Sequence, residues 1–216
     1  TFKVLIEEIV GETDSDSALS SFLISSAREV QDGLDKDEAL TIAKSVTLES
    51  GTYATLNKKV LQVLKRSNLT NNVFYVPATK VNLKMASKIT NSNSIYAAEE
   101  FQPYWYVEQS TTGVSALTVI PAPTSTYPAK LYYLDLPTPA FGDSAFTSGQ
   151  LPENAKTAVI LGACVMWLKR KLSETILDDG DGEVAQALTL EIDILTKQIA
   201  GEMQRLSKIK EHRDIS

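Results

Sequence analysis

The chain has 216 residues, of which 43% are hydrophobic, 7% aromatic and 22% charged, a balance that excludes disordered and fibrous classes. That length supplies a core of its own and lies near the upper end for one domain, with room for an inserted subdomain. The net charge of -6 and pI near 4.9 argue against a protein that grips nucleic acid by neutralising phosphates, because such binding runs on Lys and Arg.

Phe2, Leu5, Ile6, Ile9 and Val10 recur at helical spacing and stop at Gly11, predicting a short first helix. The opening run is too short and too soon broken by Glu7 and Glu8 to act as a signal peptide, so export by that route is not expected. Asp14, Ser15, Asp16 and Ser17 offer N-caps for a second helix, carried by Leu19, Phe22, Leu23, Ala27 and Val30 and ending near Gly33. Between Asp35 and Gly51 the pattern is ambiguous: Leu40, Ala43 and Val46 suit a helix, whereas Thr41 and Thr47 lean towards extended structure.

After Gly51 the character turns to β. Val60 to Leu64, a polar turn from Ser67 to Asn72 and the run Val73 to Pro77 predict a hairpin, and Lys80 to Lys88 predicts a short connecting helix. Tyr104 to Glu108, Ala116 to Ile120 and Lys130 to Leu134 then predict three strands in meander order, with Pro103, Pro121 and Pro128 at their boundaries.

Leu151 and Pro152 reopen helical structure, since a proline in the first turn gives up an N–H that has no partner there. This helix is read to about Lys171, and from Ala158 to Leu168 it is apolar on nearly every face, so it is expected to be the most buried element. The stretch falls well short of the roughly 20 residues that span a bilayer. Beyond the acidic turn at Asp178 to Gly182, Ala185, Leu188, Ile192, Leu195, Ile199, Met203 and Leu206 predict a last helix of about 25 residues, roughly 38 Å long. The expected fold is α+β, mainly a helical bundle with an inserted antiparallel β region. Residues 1–51 give its N-terminal helices, 52–137 the insertion, 138–206 a long helix pair and 207–216 a flexible tail.

The residues that carry chemistry elsewhere offer little here. His212 is the only histidine and lies on the polar tail, where a catalytic or metal site would lack a rigid frame. Cys164 is the only cysteine, so no intrachain disulfide or thiolate cluster exists, and its apolar helix predicts a raised pKa and an inert thiol. The turn at Asp178 to Glu183 mimics a calcium loop, but a loop begun at Asp179 puts Leu190 where a bidentate Glu is needed. No nucleotide-binding glycine motif and no zinc protease motif is present. Phe101, Tyr104, Trp105 and Tyr106 could form a stacking platform, yet Glu99, Glu100 and Glu108 beside them oppose nucleic acid; core packing or a protein interface are the other readings. Lys169, Arg170 and Lys171 complement a helix C-terminus. Asn68-Leu69-Thr70 is a sequon that reads as an ordinary turn without secretion. The expectation is no enzyme, no cofactor and no metal, with a carboxylate enzyme using Glu99 and Glu100 or Asp178, Asp179 and Asp181 as one alternative and a carbohydrate- or host-binding module as another.

The run Leu117 to Pro123, followed by Tyr127 to Tyr133, then Leu151-Pro152 opening an apolar helix, a short turn and a final helix, resembles head-to-tail adaptor, or connector, proteins of tailed bacteriophages. The resemblance covers roughly residues 60 to 206. It implies a virion structural protein made in the host cytoplasm and placed in the virion neck, without an active site. Such a protein forms a ring, typically a dodecamer, under the portal protein, joins the tail tube or nozzle protein, and lets genomic DNA pass without specific binding or any membrane. A tail-completion or neck protein on a related scaffold is the neighbouring alternative. By the same analogy Ser207, Lys208, Lys210 and Arg213 would dock on the portal, Thr111, Thr112 and Gly113 would face the tail, and Asp178, Asp179, Asp181 and Glu183 would line an acidic or neutral channel.

Overall fold

The computed structural model describes residues 1–13, 16–55, 57–67, 74–109, 115–178 and 182–208. The chain is an α+β protein that divides into two compact units, a helical one of residues 1–42 and 137–216 and a β unit of residues 43–136.

The helical unit is built around one element, α5 (Lys156–Asp178), on which α1 (Phe2–Val10), α2 (Asp16–Gly33) and α6 (Gly182–Lys208) all pack. Ala158, Val159, Ala163, Cys164, Trp167 and Leu168 of α5 are buried, as expected of a helix that is apolar all round. Facing them, Phe2 and Ile6, then Leu19, Leu23, Ala27 and Val30, then Ile192, Leu195 and Leu206 complete one core. Each of these larger side chains contributes about 1.5–3 kcal/mol by leaving water. Thr1 caps α1 by accepting from the Val4 N–H, and one turn of 3-10 helix, Glu153–Ala155, leads into α5 from Pro152.

Two residues set how closely α2 approaches α5. The buried Ser26 hydroxyl donates to the Val159 carbonyl at 2.8 Å, and a Cβ placed on Gly162 would lie 2.1 Å from the Ser26 oxygen. Any side chain at 162 therefore displaces the Ser26 hydroxyl from its bond or the helix that carries it. A further tie holds the C-terminal end of α2, where the buried Gln31 amide donates to the Gln150 carbonyl at 2.7 Å.

In the β unit eight strands form two sheets of four: β1 (Lys44–Leu48), β2 (Thr52–Ala54), β3 (Lys58–Arg66), β4 (Tyr75–Pro77), β5 (Thr79–Lys80), β6 (Tyr104–Gln109), β7 (Ser115–Ile120) and β8 (Ala129–Asp135). The orders are β1-β8-β3-β4 and β2-β7-β6-β5, with every pairing antiparallel except β5 with β6. Alternation points Leu48, Val63, Ala129 and Leu131 from the first sheet and Trp105, Leu117 and Val119 from the second into a single core, the arrangement of a small sandwich. Asn57 adopts φ 57° at the turn into β3, a left-handed conformation that Asn tolerates.

Four readings of the sequence are corrected or resolved. The strands at 104–109, 115–120 and 129–135 are not a meander: β6 and β7 pair, but β2 occupies the far edge of β7, and β8 crosses to lie between β1 and β3. The prolines at 121, 123 and 128 lie in the connection that makes this crossing and cannot donate to a continuing ladder. The ambiguous segment before Gly51 holds α3 (Lys36–Ile42) and then β1, whose partners at 129–133 are distant in sequence, so local composition carried no trace of them. The helix read to Lys171 continues to Asp178, because Leu172 on its inner side still has α6 to pack against. The connecting helix is α4 (Leu83–Thr90), with Lys80 in a strand before it.

Gly162→Leu and the milder Gly162→Ala should each destabilise the protein, by about 1 to 3 kcal/mol or more for the leucine. The Ser26→Ala partner should recover part of the loss in Gly162→Ala, because the hydroxyl is the nearest obstacle. Denaturant titration of the single and double variants reads the coupling, and additive losses would disprove the close approach.

Candidate functional site

Helix α6 has two apolar sides. Leu188, Ile192, Leu195, Ile199, Met203 and Leu206 face the core, whereas Leu190 and Ile194, 63% and 47% exposed, lie on the opposite side. At 3.6 residues per turn Leu190 points about 200° away from Ile192. Ile176 and Leu177 at the end of α5 are 59% and 79% exposed, and Val184 at the start of α6 is 45% exposed. Leu172 and Ile176 line a shallow groove with Ala185, Thr189 and Leu190, which places the two helices side by side in antiparallel sense and brings the exposed Ile176 and Leu190 together. Clustered apolar side chains of this kind mark surfaces that associate.

Both helices carry both signs, with a basic trio on α5 beside Glu174 and Asp178, and acids on α6 beside Lys197, Arg205 and Lys208. Lys169, Arg170 and Lys171 lie on α5, and Glu183, Glu191 and Asp193 lie on α6, with Glu191 and Asp193 about as far from the turn as the basic trio. Arg170 and Lys171 also pair with Glu174 at 2.8 and 3.8 Å and rest over the Trp167 ring, contacts too exposed to hold them tightly.

The residues singled out in the sequence are dispersed. Ser207 is exposed near the end of α6, its hydroxyl donating to the Gln204 carbonyl at 2.8 Å. Lys208 is the last residue of that helix, while Lys210, His212 and Arg213 lie outside the described residues. Thr111, Thr112 and Gly113 are also outside them, as are Asn68, Asp179 and Asp181; Asp178 ends α5, and Glu183 is an exposed residue in the first turn of α6. Phe101, Tyr104, Trp105 and Tyr106 do not form one platform: Trp105 is in the sandwich core, and Phe101 is exposed and stacked on Phe74. Glu100 faces the Lys65 amine at 3.7 Å. Among the described residues no three of His, Cys, Asp and Glu are grouped so as to hold a metal ion, and no helix is long and apolar enough to cross a membrane.

Two features went unread in the sequence. The first is Lys65, whose side chain is 1% exposed and whose amine donates to the Arg66 and Tyr127 carbonyls at 3.1 and 3.0 Å. Alternation from buried Val63 puts position 65 inside, so the pattern held the signal although the residue type hid it. Burial lowers its pKa, an effect the Glu100 carboxylate only partly opposes. The second is charge asymmetry. Of the 21 basic residues nine fall in 43–136, against five of the 27 acidic ones, so the β unit carries +4 and the helical unit -10.

No protein-family model and no curated protein matches this chain.

Cys164 is fully buried, and burial pushes its thiol up to about 12. It should resist a disulfide reagent in the native protein at pH 8 and react only at the rate of unfolding, so rapid native labelling would contradict its packing. For Lys65 the sign follows from the lowered pKa: the buried cation costs stability at neutral pH, and that cost fades as pH rises through the folded value towards the usual 10.5. Relative to Lys65→Met, which has no such group to titrate, the parent protein should gain stability from pH 8 to 10.5 in paired denaturation curves.

Proposed function

We propose that this chain is a structural subunit of a tailed-phage neck, a head-to-tail adaptor that repeats as a ring, with twelve copies as the expected number. The observation that carries this reading is the set of exposed apolar side chains on the last turn of α5 and the outer face of α6, directed away from the core. Leu190, Ile194, Ile176 and Leu177 together expose more apolar side chain than a solitary helix pair has reason to keep. The basic trio Lys169, Arg170 and Lys171 on α5 and the acids Glu183 and Glu191 on α6 supply charges of opposite sign for contacts between copies. The α6 edge of one copy meets the α5 edge of the next, a head-to-tail contact that closes when its rotation divides a circle.

The long antiparallel helices suit side-by-side packing, and the charge of -10 on the helical unit supports a channel that lets a duplex slide. The partners of such a ring are the portal protein on one side and the tail tube or nozzle protein on the other. Ser207 and the residues after it would dock on the portal, and the β6–β7 connection would face the tail.

Light scattering coupled to size exclusion tests the assembly. The parent chain, alone or added to portal-bearing heads, should run as a ring or join the neck, whereas Leu190→Glu with Ile194→Glu should stay monomeric with unchanged circular dichroism. A parent that remains monomeric and does not bind portal-bearing heads, or a double variant that assembles as before, would overturn the reading.

A further inference from the structure

The β unit holds a second surface of a different kind. A concavity of about 330 Å³ draws Lys58 and Lys59 from β3, Lys80 from β5, Trp105 from β6 and Ser115 from β7 around Thr55, and no acidic residue lines it. Three lysines line one small space in a chain whose net charge is -6 and in a unit whose charge is +4, and two of them, Lys58 and Lys80, have their ammonium groups fixed by rings.

The cations are held in place rather than left loose. Lys58 lies 5.3 Å from the centre of the Tyr133 ring and 5.9 Å from that of Tyr53, and Lys80 lies 5.3 Å from that of Trp105. Neither Lys58 nor Lys80 is paired with a carboxylate among the described residues. The backbone beneath them is tied down as well: the Thr55 amide and hydroxyl both donate to the Ser115 carbonyl, at 2.8 and 3.2 Å, and the Lys58 amide donates to the Thr55 carbonyl at 3.1 Å. Val81 and Thr79 donate to the Trp105 and Pro103 carbonyls, each at 2.9 Å, and fix Lys80 between them. The entropy of fixing these side chains is thus partly met before any ligand arrives.

We propose that this concavity binds a phosphate group, either as inorganic phosphate or as a phosphodiester of a nucleic-acid backbone. Its volume is at the lower end for ligand pockets and suits one small anionic group with its water rather than a cofactor. Lysines act as separate point charges that can each meet a different oxygen of a tetrahedral anion, whereas a planar carboxylate is matched better by the fork of an arginine, and none lines the site. Trp105 is 5% exposed, so it serves as a floor that orients Lys80 and not as a stacking surface for a base. The selectivity is consequently for phosphate without regard to sequence. This site involves the β unit alone and is independent of ring assembly.

Titration calorimetry on the full chain with sodium phosphate, with a short oligothymidylate and with citrate at matched ionic strength tests the site. Phosphate should bind and should compete with the oligonucleotide if that binds too. A tighter, salt-sensitive oligonucleotide affinity identifies the phosphodiester as the source, and phosphate binding without oligonucleotide binding identifies the free ion. Lys58→Gln with Lys80→Gln should weaken binding by about tenfold for each lysine in 0.1 M salt. Ser115→Asp, which adds a negative charge while leaving the lysines and rings in place, should abolish it. The control Lys84→Gln with Lys88→Gln removes equal charge from α4 and should change little. Equal loss in the control, citrate binding as strongly as phosphate, or no binding of either phosphate probe would overturn the proposal.

Discussion

The close crossing of α2 and α5 at Ser26 and Gly162 is the constraint on which the helical unit depends. A hydroxyl bonded to the Val159 carbonyl and a residue without a Cβ let the two backbones come together, and the apolar side chains on either side of the crossing then interlock. The serine is buried, yet its hydrogen bond answers the cost of taking it out of water. With α2 and α1 covering one side of α5 and α6 another, the outer face of α6 and the last turn of α5 are left over. The apolar surface proposed for subunit contact is thus what remains after the core is satisfied.

The β unit answers to a different logic. Among the described residues its two sheets close a cluster of seven buried apolar side chains, and its internal ties are partly polar: Lys65 holds the backbone of Tyr127 through its amine, and the neighbouring Glu100 balances the charge. A buried lysine is a costly device, because desolvation of the ammonium is only partly offset by two carbonyls and a half-exposed acid. Its counterpart is the pair Lys58 and Lys80, the first half-buried and the second exposed, whose charges are steadied by rings beside the concavity. The same residue type thus secures the sandwich in one place and offers a ligand surface in another.

Electrostatics separates the two units more sharply than the overall charge conveys. A chain of -6 reads as indifferent to phosphate, but that figure averages a helical unit of -10 with a β unit of +4. Fields decay over about 8 Å at physiological ionic strength, so a local ligand responds to its own unit and not to the average. The helical unit of -10 and the β unit of +4 thus present different electrostatic surfaces within one chain.

The sequence by itself determined the elements whose stability is local or whose pattern is long. Periodicity placed α1, α2, α5 and α6, and the all-round apolar character of α5 announced its central position. The alternation that bounds β3, β6, β7 and β8 was equally visible. Only the tertiary structure decided which strands pair, since β8 sits between β1 and β3 through contacts across some eighty residues of chain and leaves β7 to β2, a choice set by which edges remain open. It also decided the surfaces. Lys58 and Lys80 are separated by a hairpin in the sequence and meet at one concavity only because two sheets fold face to face, while Leu190 and Ile192 look alike in composition and part company because a helix turns about 100° per residue.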